Sequence, residues 1–165
     1  MYEATNEFTV SAWIKPNGIQ PEYTGIVFND GTSAGLNFRP DNQLAYHWPG
    51  GAWWWDSGLF VEEDVWSHVA LVVTPDSITV YLNGVGSTHV VAPTPVSIAS
   101  MKLGSYQGWG SRNYSGLIDE VCIWNRSLSR DELRELRHLT RTGETPYTDG
   151  LVSYYQCFNL FYIHF

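Results

Sequence analysis

Three kinds of side chain in this sequence could do chemistry: carboxylates, imidazoles and an unusual run of indoles. Retaining cleavage of a glycosidic bond needs two carboxyl groups about 5 Å apart across the scissile linkage. A strand delivers such a pair at i and i+2 or i+4, because successive side chains leave opposite faces. The acids here are placed otherwise. Glu62-Glu63-Asp64 is contiguous, so its members diverge, and it precedes a turn before Trp66. Asp119 and Glu120 are neighbours expected on opposite faces, and Asp131, Glu132 and Glu135 fall in a helical segment. His47 and His68 lie inside strand-like runs without a Gly-x-Ser-x-Gly or comparable nucleophile context, so each reads as a hydrogen-bonded structural histidine. The expectation is a chain that is not an enzyme.

The indoles are more informative. "YHWPGGAWWWDSG" and "YQGWGSRNYSG" set Tyr46, Trp48, Trp53, Trp54, Trp55, Tyr106 and Trp109 beside glycine-rich turns, with Asp56 and Arg112 close by. Flat aromatic faces beside hydrogen-bonding side chains suit carbohydrate, since an indole packs on the C–H face of a pyranose. These nine residues are the predicted ligand-binding set. Packing across a curved sheet is the competing role. Trp53 and Trp55 should share one face with Trp54 opposite, so at least one of the three stands outside the core. Trp13, Trp66 and Trp124 fall in strand-like runs and read as packing.

The 165 residues suit one domain. A net charge of −8, with nine Lys and Arg against seventeen acids, argues against nucleic acid and is compatible with cations or neutral glycans. No run of roughly 18 apolar residues exists to span a membrane. Cys122 and Cys157 match no metal or redox spacing, and free or buried thiols are the expected state.

The elements that must position these groups are strands. "FTVSAWIKP" alternates, with Phe8, Val10, Ala12 and Ile14 on one face. "YTGIVFN", "AGLNFR" and "QLAYHW" follow, broken at Asp30-Gly31, Pro40-Asp41-Asn42 and Pro49-Gly50-Gly51. "VWSHVALVV" and "SITVYLNG" form a hairpin about Thr74-Pro75-Asp76-Ser77, and Asn83-Gly84 suits a turn with positive φ at both central residues. "MKLGSY" and "SGLIDEVCIWN" are further strands. In the latter, alternation places Leu117, Asp119, Val121 and Ile123 on one face. One helix starts at the capping box Ser129-Arg130-Asp131-Glu132, with Leu128 and Leu133 as staple and Leu133, Leu136 and Leu139 as its apolar stripe. "LVSYYQCF" is a last strand.

"FTVSAWIKP", "VWSHVALVV…ITVYLNG" and "YSGLIDEVCIWNRSLSRDELREL", in this order over residues 8 to 138, resemble laminin G-like domains of the concanavalin A-like lectin/glucanase superfamily. The resemblance implies an all-β, antiparallel two-sheet jelly-roll sandwich, here with one short C-terminal helix. It further implies an extracellular or cell-surface module of a larger protein, with a glycan or surface protein as partner. Glucanases of that superfamily resemble Glu-x-Asp-x-x-Glu on one strand, which is missing here. The family's opening strand also has no counterpart at the start, whereas "LVSYYQCFN" resembles it. Residues 1–150 are therefore expected to form the sandwich. Residues 151–165 are expected either to complete it, in permuted order or by exchange, or to begin a following domain.

The resemblance implies structural calcium at Asp119 only; Asn159 is a separate candidate for a second donor if the last strand docks. On the residues alone, Asp119 sits on an apolar-looking face, where a carboxylate needs a partner. Backbone amides are the alternative partner. Asp30, in the turn Asn29-Asp30-Gly31, is a further candidate ligand.

Overall fold

The computed structural model describes residues 3–53, 55–106, 110–142 and 147–156. Twelve strands and one helix follow in order: β1 Ala4–Thr5, β2 Phe8–Pro16, β3 Gly25–Asn29, β4 Ala34–Phe38, β5 Leu44–His47, β6 Ser67–Thr74, β7 Ser77–Leu82, β8 Val85–Val90, β9 Val96–Ser97, β10 Met101–Leu103, β11 Gly116–Trp124, α1 Arg130–Thr142 and β12 Leu151–Tyr155. Antiparallel pairing gives a six-stranded sheet, β12-β11-β2-β6-β7-β8, and a four-stranded sheet, β10-β3-β4-β5, with β1 and β9 as a separate pair. The fold is a β-sandwich with a single helix, as the sequence predicts.

The alternation in β2 does what period two requires. Phe8, Val10, Ala12 and Ile14 enter the core between the sheets, where they meet Val69, Leu71, Val73, Ile78 and Val80 from the β6–β7 hairpin. Leu36, Phe38, Leu44 and Tyr46 close that core from the four-stranded sheet. Asn83 and Gly84 both take positive φ, at 50° and 84°, and turn β7 into β8. The sequence reading assigned no strand at β8, because its polar alternation has no apolar run behind it.

A second apolar layer lies on the other face of the six-stranded sheet. Ala70, Val72, Cys122 and Trp124 meet Leu128, Leu133 and Leu136 there, which fixes α1 on the sheet. Burying each of those leucines contributes about 1.5–3 kcal/mol. The capping box forms in both directions: the Ser129 amide donates to Glu132 Oε2 at 2.7 Å, and the Glu132 amide to Ser129 Oγ at 3.2 Å. Cys122 is a free, buried thiol, and burial pushes its pKa up to about 12. Cys157 lies outside the described residues.

Two sequence expectations are corrected. Trp66 precedes β6 rather than lying in it, and is 40 % exposed. Strand β11 does not keep one alternation along its length. Its register against β2 shifts between Asp119 and Cys122, and Glu120 takes φ 50°. This bulge inverts the parity. Ile118 points into the core before it, and Val121 and Ile123 after it. Asp119 therefore pairs with Trp13 on the helix side of the sheet, not on the apolar face.

Strand β12 pairs antiparallel with β11 over Val121–Trp124. Val152 packs on the inter-sheet core, and Leu151 and Tyr154 on the helix layer. Glu120, at the bulge, accepts from the Tyr154 hydroxyl and, at 3.1 Å, from Gln156 Nε2.

Candidate functional site

The outward face of the four-stranded sheet carries the aromatic site. In β5 the alternation sends Leu44 and Tyr46 inward, so Ala45 and His47 face out. The His47 ring is 2 % exposed and packs on Phe28 of β3, with ring centroids 5.9 Å apart. Tyr106, after β10, lies over Phe28 at 4.2 Å and brings its hydroxyl to 2.5 Å from His47 Nδ1. Trp53 stands edge-on to His47 at 3.9 Å between centroids and is 59 % exposed. Tyr23, in the approach to β3, is held in positive φ, and its amide donates to the Phe38 carbonyl at 2.8 Å. The Arg112 guanidinium lies 4.9 Å from the ring centroids of both Tyr23 and Tyr106, a cation–π arrangement that holds it flat against the aromatic wall. These five residues line a cleft of 280 Å³.

The electrostatics of the cleft favour a neutral imidazole. Burial, and secondarily the Arg112 charge, pull the His47 pKa down to about 4. Burial raises the Tyr106 phenol above its ordinary value, so it stays protonated near neutrality. A neutral ring that accepts the Tyr106 proton at Nδ1 carries its own proton on Nε2. Nε2 has no hydrogen-bond partner among the described residues. A buried, unused polar atom is costly, and this one belongs to a ring that lines the cleft.

Of the predicted ligand-binding set, the structure brings Trp53, Tyr106 and Arg112 together. Tyr46 and Trp48 are corrected: both are core residues, on the opposite face of the same sheet. Tyr46 bonds His89 Nδ1 at 2.6 Å and Trp48 donates to the Thr94 carbonyl at 2.9 Å, so their polar ends are used inside. Trp55 stacks flat on His89 at 4.2 Å and packs against the core, away from the cleft. Asp56 accepts from Gln43 Nε2 at 2.7 Å. Trp54 and Trp109 lie outside the described residues. The sequence reading missed Tyr23 and His47. For His47 the signal was present: with Leu44, Tyr46 and Trp48 on one parity, the opposite parity had to face out.

Two of the predicted calcium ligands, Asp30 and Asp119, lie within the described residues, and each is engaged by another group. Asp30 pairs with Lys102 across the β3–β10 edge. Asp119 Oδ1 accepts the Glu120 amide at 2.7 Å. Asn159 lies outside the described residues. Among the described residues no group of three or more His, Cys, Asp or Glu side chains gathers to hold an ion, whereas calcium wants six to eight oxygens.

The bulge also changes the expected disposition of the β11 acids. Asp119 and Glu120 line one cleft, with Trp13 and Trp66, instead of opposite faces. Their carboxylates are engaged by the Glu120 amide and by Tyr154 and Gln156, respectively.

Residues 2–134 match the laminin G family model described as the concanavalin A-like lectin/glucanases superfamily. Over 179 aligned residues the chain is 24 % identical to the adhesion G-protein coupled receptor V1 of Danio rerio, a match spanning 90 % of this chain and 3 % of that protein. A candidate carbohydrate binding protein from Bacteroides ovatus superposes with TM-score 0.77 at 21 % identity, over 93 % of this chain and 46 % of its own. Domain 4 of AbnA, a GH43 extracellular arabinanase from Geobacillus stearothermophilus solved with arabinotriose, superposes with TM-score 0.62 at 23 % identity, over 81 % of this chain and 68 % of its own. At these identities the structural likeness is one of fold.

Proposed function

The chain belongs to the concanavalin A-like lectin/glucanases superfamily, and on that premise we propose that it is a non-catalytic, extracellular carbohydrate-recognition module that binds at the Trp53 cleft. One observation carries the reading. An exposed indole is fixed against a buried histidine whose Nε2 is unused, at the mouth of an aromatic cleft. Trp53 supplies the stacking face, His47 Nε2 the hydrogen bond, and Arg112 further donors held flat on Tyr23 and Tyr106. The cleft lining contains no carboxylate, so the pair needed for retaining or inverting hydrolysis is missing there. The fold likeness to a carbohydrate binding protein and to a domain solved with arabinotriose supports the same reading.

A glycan array with the wild type, Trp53→Ala and His47→Ala tests it. A neutral oligosaccharide is expected to bind the wild type and to lose at least tenfold affinity in each variant, with no reducing sugar released on long incubation. Equal binding by all three proteins, or turnover of any polysaccharide, sinks it. A protein-adhesion or spacer role is the second reading, favoured by the match to an adhesion receptor. It predicts an empty array. Calcium at Asp119 enters only as an adjunct to this reading, and a fall in melting temperature on adding chelator is its test.

A further inference from the structure

The protein carries a net charge of −8 and only nine Lys and Arg, yet four of those nine stand on one helix. Arg130, Arg134, Arg137 and Arg141 fall within about 60° of one another around the α1 axis and extend about 16 Å along it. The spacing makes each a near neighbour of the next, and like charges at i+3 and i+4 oppose the helix. Local pairing offsets little of this. Arg134 reaches only Asp131, at 3.9 Å, with both side chains largely exposed. Arg137 is spent on the Asn83 carbonyl. Neither Arg130 nor Arg141 forms an ion pair among the described residues.

This arginine edge borders two clefts. One, of 640 Å³, runs between α1 and the bulge of β11 and includes Trp13, Trp66 and the two carboxylates Asp119 and Glu120. The other, of 740 Å³, lies between α1 and the Asn83–Gly84 turn. Asn83, Arg137 and Arg141 line both, so the clefts adjoin along the Arg137–Asn83 contact. The result is a groove with arginines along one side and an exposed indole, Trp66, at one end. It is formed by α1 and the six-stranded sheet, away from the four-stranded sheet that bears the Trp53 cleft.

We infer that this groove is a second binding site, for an acidic polysaccharide of the polyuronate class. Guanidinium groups take carboxylates as planar, two-pronged partners. Trp66 provides an apolar face for a sugar ring at the end of the row. The carboxylates nearby limit the charge density of the ligand. Asp131 and Glu135 lie about 100° and 140° around the helix from Arg130, and they line the second cleft. A chain with one carboxylate per sugar and neutral hydroxyls between fits that mixture. A densely phosphorylated or sulfated chain meets both the local acids and the overall negative charge.

The test uses the full 165-residue chain with polygalacturonate oligosaccharides as probe and neutral galactan as control, in affinity electrophoresis and calorimetry. Polygalacturonate is expected to bind, and to bind less tightly as salt rises. The double substitution Arg134→Gln/Arg141→Gln and the single Trp66→Ala should each weaken it at least tenfold without lowering the melting temperature. Trp53→Ala should leave it unchanged, which separates this site from the cleft proposed above. The inference is overturned if the wild type ignores polygalacturonate, or if Trp53→Ala alone abolishes binding. Equal, arginine-dependent binding of poly-glutamate would also overturn it, since that would mark an acidic-peptide surface.

Discussion

The two sheets of this sandwich each carry a buried histidine on the outward face, beside a tryptophan, with Nε2 lacking a partner among the described residues. His47 has Trp53 at 3.9 Å; His68 has Trp13 at 5.5 Å, edge-on in both cases. Both rings are 2 % exposed. What differs is the cover. Over His68 lies α1, tied down by Trp13 Nε1 donating to Thr140 Oγ1 at 2.9 Å and by Leu133 and Leu136 beneath it. Over His47 lie Tyr106 and Trp53, with a cleft between. The same local chemistry thus becomes structure under a helix and a candidate reading head under loops. The identity of the side chain does not decide between the two roles; the layer above it does.

The largest effect is expected from removing residues 151–165. Val121–Trp124 would lose its pairing partner and become an open edge, a template for self-association. A truncated protein that oligomerises or precipitates on size exclusion is the expected result, and a monomer with unchanged melting would deny β12 its structural part. Next, Leu136→Ala removes a fully buried side chain from beneath α1 and should cost about 2–5 kcal/mol in chemical denaturation. A loss under 1 kcal/mol would mean the helix is a loose cover.

The third test uses pH. Burial, with Arg137 adding to it, pulls His68 from 6.5 to about 3, and His47 falls to about 4. Both folded values lie below the unfolded one, so between about pH 6.5 and these values the unfolded chain binds more protons than the native. Stability is then full near neutrality and declines as pH falls through that window. Melting temperature should drop from pH 7 to pH 4, and His68→Gln should flatten the decline. An unchanged slope in the variant would remove His68 from the account. The smallest stability effect belongs to Trp53→Ala. An exposed indole outside the core should change unfolding free energy by no more than about 0.5 kcal/mol while weakening glycan binding at least tenfold. A large stability loss would reassign Trp53 to packing.

Much of the sandwich was readable because it obeys period two. Phe8 through Ile14, the β6–β7 hairpin and the Ser129 capping box each declared themselves by spacing alone, and each formed as expected. The failures have physical causes. Nothing in "GLIDEV" announces that Glu120 will take positive φ, a conformation more natural to Gly or Asn, so the inversion of parity in β11 was invisible. The indole cluster was legible as composition but not as geometry. Trp48, Trp53 and Trp55 lie within eight positions of one another in the chain, yet the chain carries one to the core, one to the cleft and one onto His89 because irregular backbone separates them. Tyr23 joined the site from a turn remote in sequence, which no local pattern could supply.

The extra residue at Glu120 sets a rule about insertions and deletions. With one position fewer between Asp119 and Cys122, the bulge would close into regular pairing, with Asp119 still opposite Trp13 and Cys122 still opposite Ser11. Val121 and Ile123 would stay between the sheets, and Cys122 and Trp124 would stay toward the helix. What a deletion there removes is the bulge itself and the carboxylate it presents to Tyr154 and Gln156. When related chains are aligned, a chain without the bulge needs a gap at position 120; without that gap, inward residues fall on outward ones, however well the flanking letters agree.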